Sequence, residues 1–296
     1  MSPKINPNSS VPLNLVYQGH GFHLVNPSLW PLTGSVSAFM CALGTAMWMH
    51  EYVGGGYLLF LGVLSLILTM IVWWGDVIDE SLQGHHTSMV QNGIRMGVVL
   101  FIVSEVMFFL AFFWGFFHSA LAPTIEIGCG WPPVGIEAFH PFQVPLLNTA
   151  ILLLSGASIT WSHHALVGNA LEEATAGLVM TIVLALVFTF VQAYEYIEAP
   201  FSISDGAYGT TFYMTTGLHG FHVFIGTVFL IVCLFRHLMG HFTPSHHVGY
   251  EAAIWYWHFV DAVWIFLYVF VYVWGNDADG MLIQELTEFN FSKILG

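Results

Sequence analysis

A single carboxylic acid lies near the midpoint of a long apolar stretch of this sequence. The stretch from Met96 to Phe117 has 22 residues, and Glu105 is its one ionisable residue. A helix of this length crosses a bilayer core of about 30 Å. A charged and unpaired carboxylate at that depth costs several kcal/mol, so we expect Glu105 to be protonated or to face protein or trapped water. Two roles stay open for it: a functional site, or a neutral acid that hydrogen-bonds a neighbouring helix.

Two histidines lie near the middle of a later apolar stretch. His219 and His222, in GLHGFHVFIG, are spaced i, i+3 and so share one face of a helix. Buried histidines of this kind can bind haem or copper. However, no cysteine, methionine or carboxylate motif completes a site locally, and Gly217, Gly220 and Gly226 favour close helix packing instead.

His258 and Asp261 have the same i, i+3 spacing in WYWHFVDAVW. Burial of a neutral hydrogen-bonded pair in apolar surroundings costs less free energy than burial of two charges. The spacing therefore predicts a polar contact between helices rather than a catalytic pair.

Three pairs of adjacent histidines fall in the connections between apolar stretches. They are His85-His86, His163-His164 and His246-His247. They suggest either metal ligands or a surface that collects protons. Adjacent residues do not share a helix face, and pairs in loops are poorly preorganised as ligands. We therefore expect these histidines to face solvent or lipid headgroups, and we predict no metal site.

Glu195 and Glu198, in YEYIEAPF, lie at the end of another apolar stretch. Paired carboxylates can perform acid/base catalysis. At a membrane surface they are more often solvated, and we expect that here. No residue of the chain is thus predicted to be catalytic.

The composition indicates which elements position these residues. The chain has 296 residues, of which 56% are hydrophobic and 7% are charged, whereas soluble domains carry about a quarter charged residues. The chain is therefore predicted to be an all-α, polytopic membrane protein. Its formal charge of −14, with four basic residues, excludes the basic patch that nucleic-acid binding requires.

Seven apolar windows are long enough to span a membrane. They run from about Leu32 to His50, Tyr57 to Trp74, Met96 to Phe117, Leu146 to Trp161, Ala176 to Tyr196, Tyr208 to Phe235 and Ala252 to Trp274. We expect one polytopic domain (1–296), with an N-terminal segment (1–31), a seven-helix bundle (32–274) and a polar tail (275–296).

The basic residues predict the orientation of the bundle. With seven spans, Lys4, Arg95 and Arg236 fall on the side of the N-terminus, and Lys293 falls on the other side. Because basic residues concentrate on the inner side, the N-terminus is predicted to be inside and the C-terminus outside.

Six stretches together resemble subunit III of cytochrome c oxidase. They are HLVNPSLWPLTG (23–34), WWGDVIDESLQGHHT (73–87), RMGVVLFIVSEVMFFLAFFWGFFHSALAPT (95–124), WPPVGIEAFHPFQVPLLNTAILLLSGASITWSHH (131–164), QAYEYIEAPFSISDGAYGTTFYMTTGLHGFHVFIGTVFLIVCLFR (192–236) and HFTPSHHVGYEAAIWYWHFVDAVWIFLYVFVYVWG (241–275). The resemblance covers about residues 20 to 275.

The resemblance implies two helices and five helices around a V-shaped cleft that holds structural phospholipids. It implies packing mainly on subunit I of the oxidase, with subunit II and small accessory subunits as further partners. Haem a, haem a3 and copper are expected in those partners, and no cofactor is expected to bind this chain directly. The expected roles are to protect the catalytic core during turnover, to support proton uptake and to shape oxygen access.

The resemblance also assigns residues. Glu105 matches a buried, carbodiimide-reactive glutamate of the family. Arg236 and His241 match lipid-headgroup positions, with His86 and Arg95 near the same inner surface.

The chain departs from animal members, which usually carry basic residues at the positions of Gly75, Asp79 and Asn92. Each lost basic residue weakens the binding of an anionic lipid by about 1 kcal/mol. The identity of the cleft lipid therefore stays open: a zwitterionic lipid, or a basic residue of another subunit, would compensate.

Two other classes of function are compatible with the residues alone. One is a proton-linked transporter or channel that uses Glu105, His219, His222 and Asp261, and the other is a membrane metalloenzyme built on the histidine-rich loops. For location, the mitochondrial inner membrane is favoured over a bacterial plasma membrane, since the chain is rich in phenylalanine and begins without a recognisable presequence. There the N-terminus would face the matrix and the C-terminus the intermembrane space.

Overall fold

The computed structural model describes residues 19–276. Within that range seven helices are long and apolar enough to cross a membrane, and no β-strand is present. The prediction of an all-α membrane protein with seven spans is thus confirmed. Lys4, Lys293 and most of the predicted polar tail lie outside the described residues.

The seven helices follow one another along the chain with short connections, apart from one long loop. They are α1 (Trp30–Met49), α2 (Gly55–Leu82), α3 (Ser88–Leu121), α4 (Val144–Val167), α5 (Leu171–Glu198), α6 (Gly206–Leu238) and α7 (Val248–Leu267). The chain after α7 continues as a π-helical turn, Tyr268–Trp274, so that the seventh span ends where the sequence predicted.

Most helices extend beyond the apolar windows that predicted them. The clearest cases are α2, which continues past Trp74 to Leu82, and α3, which begins at Ser88 rather than at Met96. An apolar window includes only the apolar residues, whereas a helix continues until the backbone changes to a non-helical conformation. Gly84, with φ of +84°, provides that change of direction between α2 and α3.

The proline-rich loop between α3 and α4 is largely non-helical, as its prolines predicted. Its one helical element is a single 3₁₀ turn, Ile125–Ile127. Pro145 lies in the first turn of α4, where proline is tolerated because the first amides of a helix have no partner within it.

Residues 19–94 form one compact unit, which contains α1, α2 and the first turns of α3. Its two long helices approach closely at glycines: a Cβ atom added at Gly62 would lie 2.7 Å from the backbone nitrogen of Cys41. Polar contacts also link them, since the Trp30 indole donates to Asp76 Oδ2 at 2.5 Å. Small residues at such contacts are typical of helix pairs in membranes.

Residues 95–276 form the second compact unit. Trp257 and Trp264 of α7 are fully buried, and their indole N–H groups donate to Ser155 Oγ and Thr149 Oγ1 of α4, each at 2.9 Å. A buried indole needs such a partner, so these two hydrogen bonds set how α7 packs on α4.

The glycines of α6 differ in their surroundings. A Cβ atom at Gly226 would lie 3.0 Å from the Trp257 ring, whereas no described atom lies within 4 Å of such an atom at Gly220. Close packing was therefore predicted correctly for Gly226. The prediction is wrong for Gly220 within this unit, because that glycine faces away from the neighbouring helices.

Candidate functional site

Glu105 and His222 form a pair between two helices of the second unit. Glu105 Oε2 lies 2.8 Å from His222 Nε2, and the two side chains are 21% and 8% exposed. The rings of Phe109 and Tyr256 lie beside the imidazole, with centroid distances of 5.0 Å and 6.3 Å. The carboxyl that the sequence placed in apolar surroundings thus has a polar partner on α6.

The hydrogen bonds of His222 define where its protons lie. His222 Nδ1 is 2.8 Å from the carbonyl oxygen of Leu218, and a carbonyl only accepts, so Nδ1 carries a proton. The contact between His222 Nε2 and Glu105 Oε2 then holds one proton, on either the acid or the imidazole. In both forms the pair has no net charge, which lowers the cost of burial. The pair can hold one proton between the two side chains.

His222 was not predicted as the partner of Glu105. The signal in the sequence is depth, since Glu105 is residue 18 of the 34 in α3 and His222 is residue 17 of the 33 in α6. Two polar residues at the middle of their spans lie at the same height in a bundle. Equal depth suggests candidate partners for Glu105, but it does not show which helices are neighbours.

His219 forms its hydrogen bond with a different helix. Its ring is buried, and its Nε2 donates to the carbonyl oxygen of Val260 at 3.1 Å. The ring packs against Phe188 and Trp264. His219 and His222 therefore bond to different partners although they lie on one helix.

His258 and Asp261 both face α4 at Gly156. The hydroxyl of Thr160 donates to the Gly156 carbonyl, so it accepts a hydrogen bond from His258 Nε2 at 3.2 Å. A Cβ atom added at Gly156 would lie 2.9 Å from Asp261 Oδ2. The contact that the structure gives His258 is thus one between helices, to α4.

Arg95 forms an ion pair at one end of the second unit. Arg95 Nε lies 2.7 Å from Glu251 Oε2, with side chains 32% and 17% exposed. Glu251 was missed in the sequence, although it is the acidic residue in the first turn of α7. That position favours an acid because the N-terminus of a helix carries a partial positive charge.

Arg236 and His241 lie at the same end, in and just after the last turn of α6. The Arg236 guanidinium carbon is 4.4 Å from the centre of the Phe242 ring. Arg236 Nη1 would lie 2.5 Å from a Cβ atom at Gly249, so this glycine makes room for it. The backbone N–H of His241 donates to the Arg236 carbonyl, which holds the two residues together.

His86 belongs to the first unit, in the connection between α2 and α3. Its side chain is half-buried, and its carbonyl accepts a hydrogen bond from the Gln91 side chain at 3.0 Å.

The two acids at the end of α5 differ in exposure. Glu198 is exposed, as predicted, but Glu195 is 1% exposed and accepts a hydrogen bond from the Tyr272 hydroxyl at 2.6 Å. The prediction that both are solvated is wrong for Glu195, because the π-helical turn after α7 covers it.

Comparison with known proteins identifies a family. A family model described as cytochrome c oxidase subunit III matches residues 20–276. Proteins named cytochrome c oxidase subunit 3 are similar over most of their length. The relative from Marchantia polymorpha is 60% identical over 263 residues, which are 88% of this chain and 99% of that protein.

Relatives from distant organisms give the same result. The protein from Arabidopsis thaliana is 58% identical over 88% of this chain and 98% of its own length. The protein from Scyliorhinus canicula is 56% identical over 88% of this chain and 100% of its own length. The match spans all seven membrane helices, and the chain belongs to the cytochrome c oxidase subunit III family.

Proposed function

We propose that this chain is a non-catalytic core subunit of cytochrome c oxidase, the terminal respiratory complex that reduces oxygen to water with proton pumping. In this role it packs on subunit I, stabilises the catalytic core during turnover, supports proton uptake and contributes to an oxygen route. The observation that carries the proposal is the family match over residues 20–276, which includes every helix described above.

The contacts of the histidines inside the membrane support a chain without a redox centre of its own. Both ring nitrogens of His222 have partners, on Leu218 and Glu105. His219 Nε2 and His258 Nε2 are bonded to Val260 and Thr160. A haem or copper ligand needs a free nitrogen lone pair, so His222 suits helix packing better, and the Nε2 contacts of His219 and His258 hold those rings against α7 and α4. We place haem a, haem a3 and copper in the partner subunits.

The residues at one end of the second unit support a headgroup site for phospholipid. Arg236 Nε and His241 Nδ1 have no hydrogen-bond partner within residues 19–276. Both nitrogens are buried, but both residues are half-buried as a whole, so a lipid phosphate would bind the accessible N–H groups of these side chains. We place this end on the matrix side, with the N-terminus in the matrix and the C-terminus in the intermembrane space.

The first unit favours a different lipid. Asp79 is exposed on α2, and no described atom lies within 4 Å of a Cβ atom added at Gly75. An acid on this face repels an anionic phosphate but attracts an ammonium headgroup. A zwitterionic lipid therefore fits this face of α2.

Removal of this chain from the purified complex tests the proposed role. The complex without the chain should keep its haem a spectrum and its initial electron transfer but lose activity faster during turnover. A loss of haem a together with the chain would contradict a non-catalytic role. The isolated chain in vesicles should show no proton flux, and flux there would favour the transporter hypothesis.

The lipid site is tested by native mass spectrometry of the complex. Arg236→Gln should lose one bound phospholipid, whereas Arg236→Lys, which keeps the charge, should retain it more often. Equal lipid content in all three complexes would contradict the headgroup site.

A further inference from the structure

Two histidines from different loop pairs meet an acid at the end of α4 and the start of α7. His163 Nε2 lies 3.2 Å from His247 Nε2, and His247 Nε2 lies 3.5 Å from Glu251 Oε1. The three candidate ligand atoms all lie within 4.8 Å of one another. We propose that His163, His247 and Glu251 form a binding site for a divalent metal ion of the zinc class.

The hydrogen bonds around the cluster turn an acceptor atom of His247 towards an acceptor atom of Glu251. His247 Nδ1 lies 2.9 Å from the carbonyl oxygen of Thr243, so Nδ1 carries the proton, and Nε2 of the neutral ring is a lone pair. Glu251 Oε2 is bonded to Arg95, which leaves Oε1 on the side of His247. Two acceptors 3.5 Å apart repel each other unless a cation lies between them.

The donor set matches zinc in type and in spacing. Two ligands of a tetrahedral zinc ion at about 2.0 Å are separated by about 3.3 Å. Two of the pairs in this cluster lie at 3.2 Å and 3.5 Å, and the third lies within 4.8 Å. Two imidazoles and one carboxylate are a set that zinc and its neighbours in the transition series prefer, whereas calcium and magnesium prefer oxygen ligands alone. The fourth position is left for water, which His163 and Glu251 admit because both are half-buried.

The supporting contacts are those of a preorganised site. His247 and Glu251 are spaced i, i+4 at the start of α7, so they share one face. The Thr243 carbonyl orients His247, and Arg95 orients Glu251, which is how outer residues usually fix metal ligands. A bound ion would link the end of α4 to the start of α7.

The sequence predicted solvated histidines here, because the two adjacent members of a pair do not share a helix face. The fold instead combines one member of each pair. His164 is exposed and is not one of the three candidate ligands, and its ring centre lies 6.2 Å from that of His163. It therefore offers a matched control one residue away.

The test measures binding of radioactive zinc to the complete purified oxidase after treatment with a chelator. The unmodified complex and His164→Gln should each bind one more zinc ion in the micromolar range than His163→Gln. Affinity at this site should fall by at least about 100-fold in His163→Gln, since even loss of an outer partner costs 10- to 100-fold. Equal zinc content in the three complexes would overturn the proposal and favour a proton as the shared cation.

A second measurement does not depend on assembly of the variant. Diethyl pyrocarbonate modifies unprotected imidazoles, and peptide mass spectrometry locates the product. Zinc should reduce modification of His163 and His247 in the unmodified complex while leaving His164 unchanged. Equal modification of His163 with and without zinc would contradict the proposed site.

Discussion

Glu105 of α3 and His222 of α6 share one proton at the middle of their helices, with 2.8 Å between Oε2 and Nε2. The Leu218 carbonyl fixes the other imidazole proton, so the shared proton lies between His222 Nε2 and Glu105 Oε2. The pair of side chains inside the membrane therefore carries no net charge. This arrangement explains how an acid is tolerated at that depth.

Glu105→Gln should leave assembly and proton pumping nearly unchanged. The glutamine amide is close to isosteric with the protonated acid and can donate to His222 Nε2. Glu105→Leu should instead leave that nitrogen without a donor and destabilise the unit by about 1–2 kcal/mol. Thermal unfolding of the purified complex and the proton-to-electron ratio in vesicles measure the two effects. A large loss of pumping with normal electron transfer in Glu105→Gln would show that the acid exchanges protons during turnover.

Gly62→Ala should separate α1 from α2. The added methyl group would lie 2.7 Å from the Cys41 backbone nitrogen, which only a shift of the helix relieves. Such overpacking costs about 1–3 kcal/mol, measurable as a lower thermal stability or yield of the complex. Gly75→Ala on the same helix is the control, because no described atom lies within 4 Å of its added methyl group. Equal stability of the two variants would argue against close packing at Gly62.

Tyr272→Phe should destabilise the second unit by about 1–3 kcal/mol. The change removes only the hydroxyl that donates to Glu195 Oε1 and leaves a buried carboxyl oxygen without a partner. Tyr194→Phe, at an exposed tyrosine on the same helix as Glu195, should have no measurable effect. The midpoint of thermal unfolding compares the two, and an unchanged midpoint in Tyr272→Phe would show that the hydroxyl is dispensable.

Arg95 and Glu251 should show a coupling energy of about 1 kcal/mol in a double-mutant cycle of Arg95→Gln and Glu251→Gln. The pair is partly exposed, so the coupling should decrease at high salt. Thermal unfolding of the four complexes at two salt concentrations provides the values. Strictly additive effects would mean that the 2.7 Å contact does not stabilise the fold.

The number of spans could be predicted because an apolar run of bilayer length has few other structures available to it. The ends of the helices could not, since Ser88–Leu121 continues through polar residues that no hydropathy window includes. Those ends depend on backbone features such as the positive φ of Gly84. The depth of Glu105 was also predictable from its place in the run.

The partners of the site residues required the tertiary structure. Helices of a membrane bundle are apolar on most faces, so periodicity does not show which face meets which neighbour. Glu105 and His222 are 117 residues apart, and Glu195 and Tyr272 are 77 apart. The position of Glu195 near the end of a span predicted that its side chain is exposed to solvent. The side chain is instead buried by the π-helical turn that follows α7, much later in the chain.

The optical spectrum of the complex that copurifies with this chain from mild detergent tests the central claim most directly. If the chain is a subunit of the oxidase, the eluate should show haem a absorption that corresponds to about one oxidase complex per chain. A colourless eluate free of haem and copper from intact membranes would contradict the account.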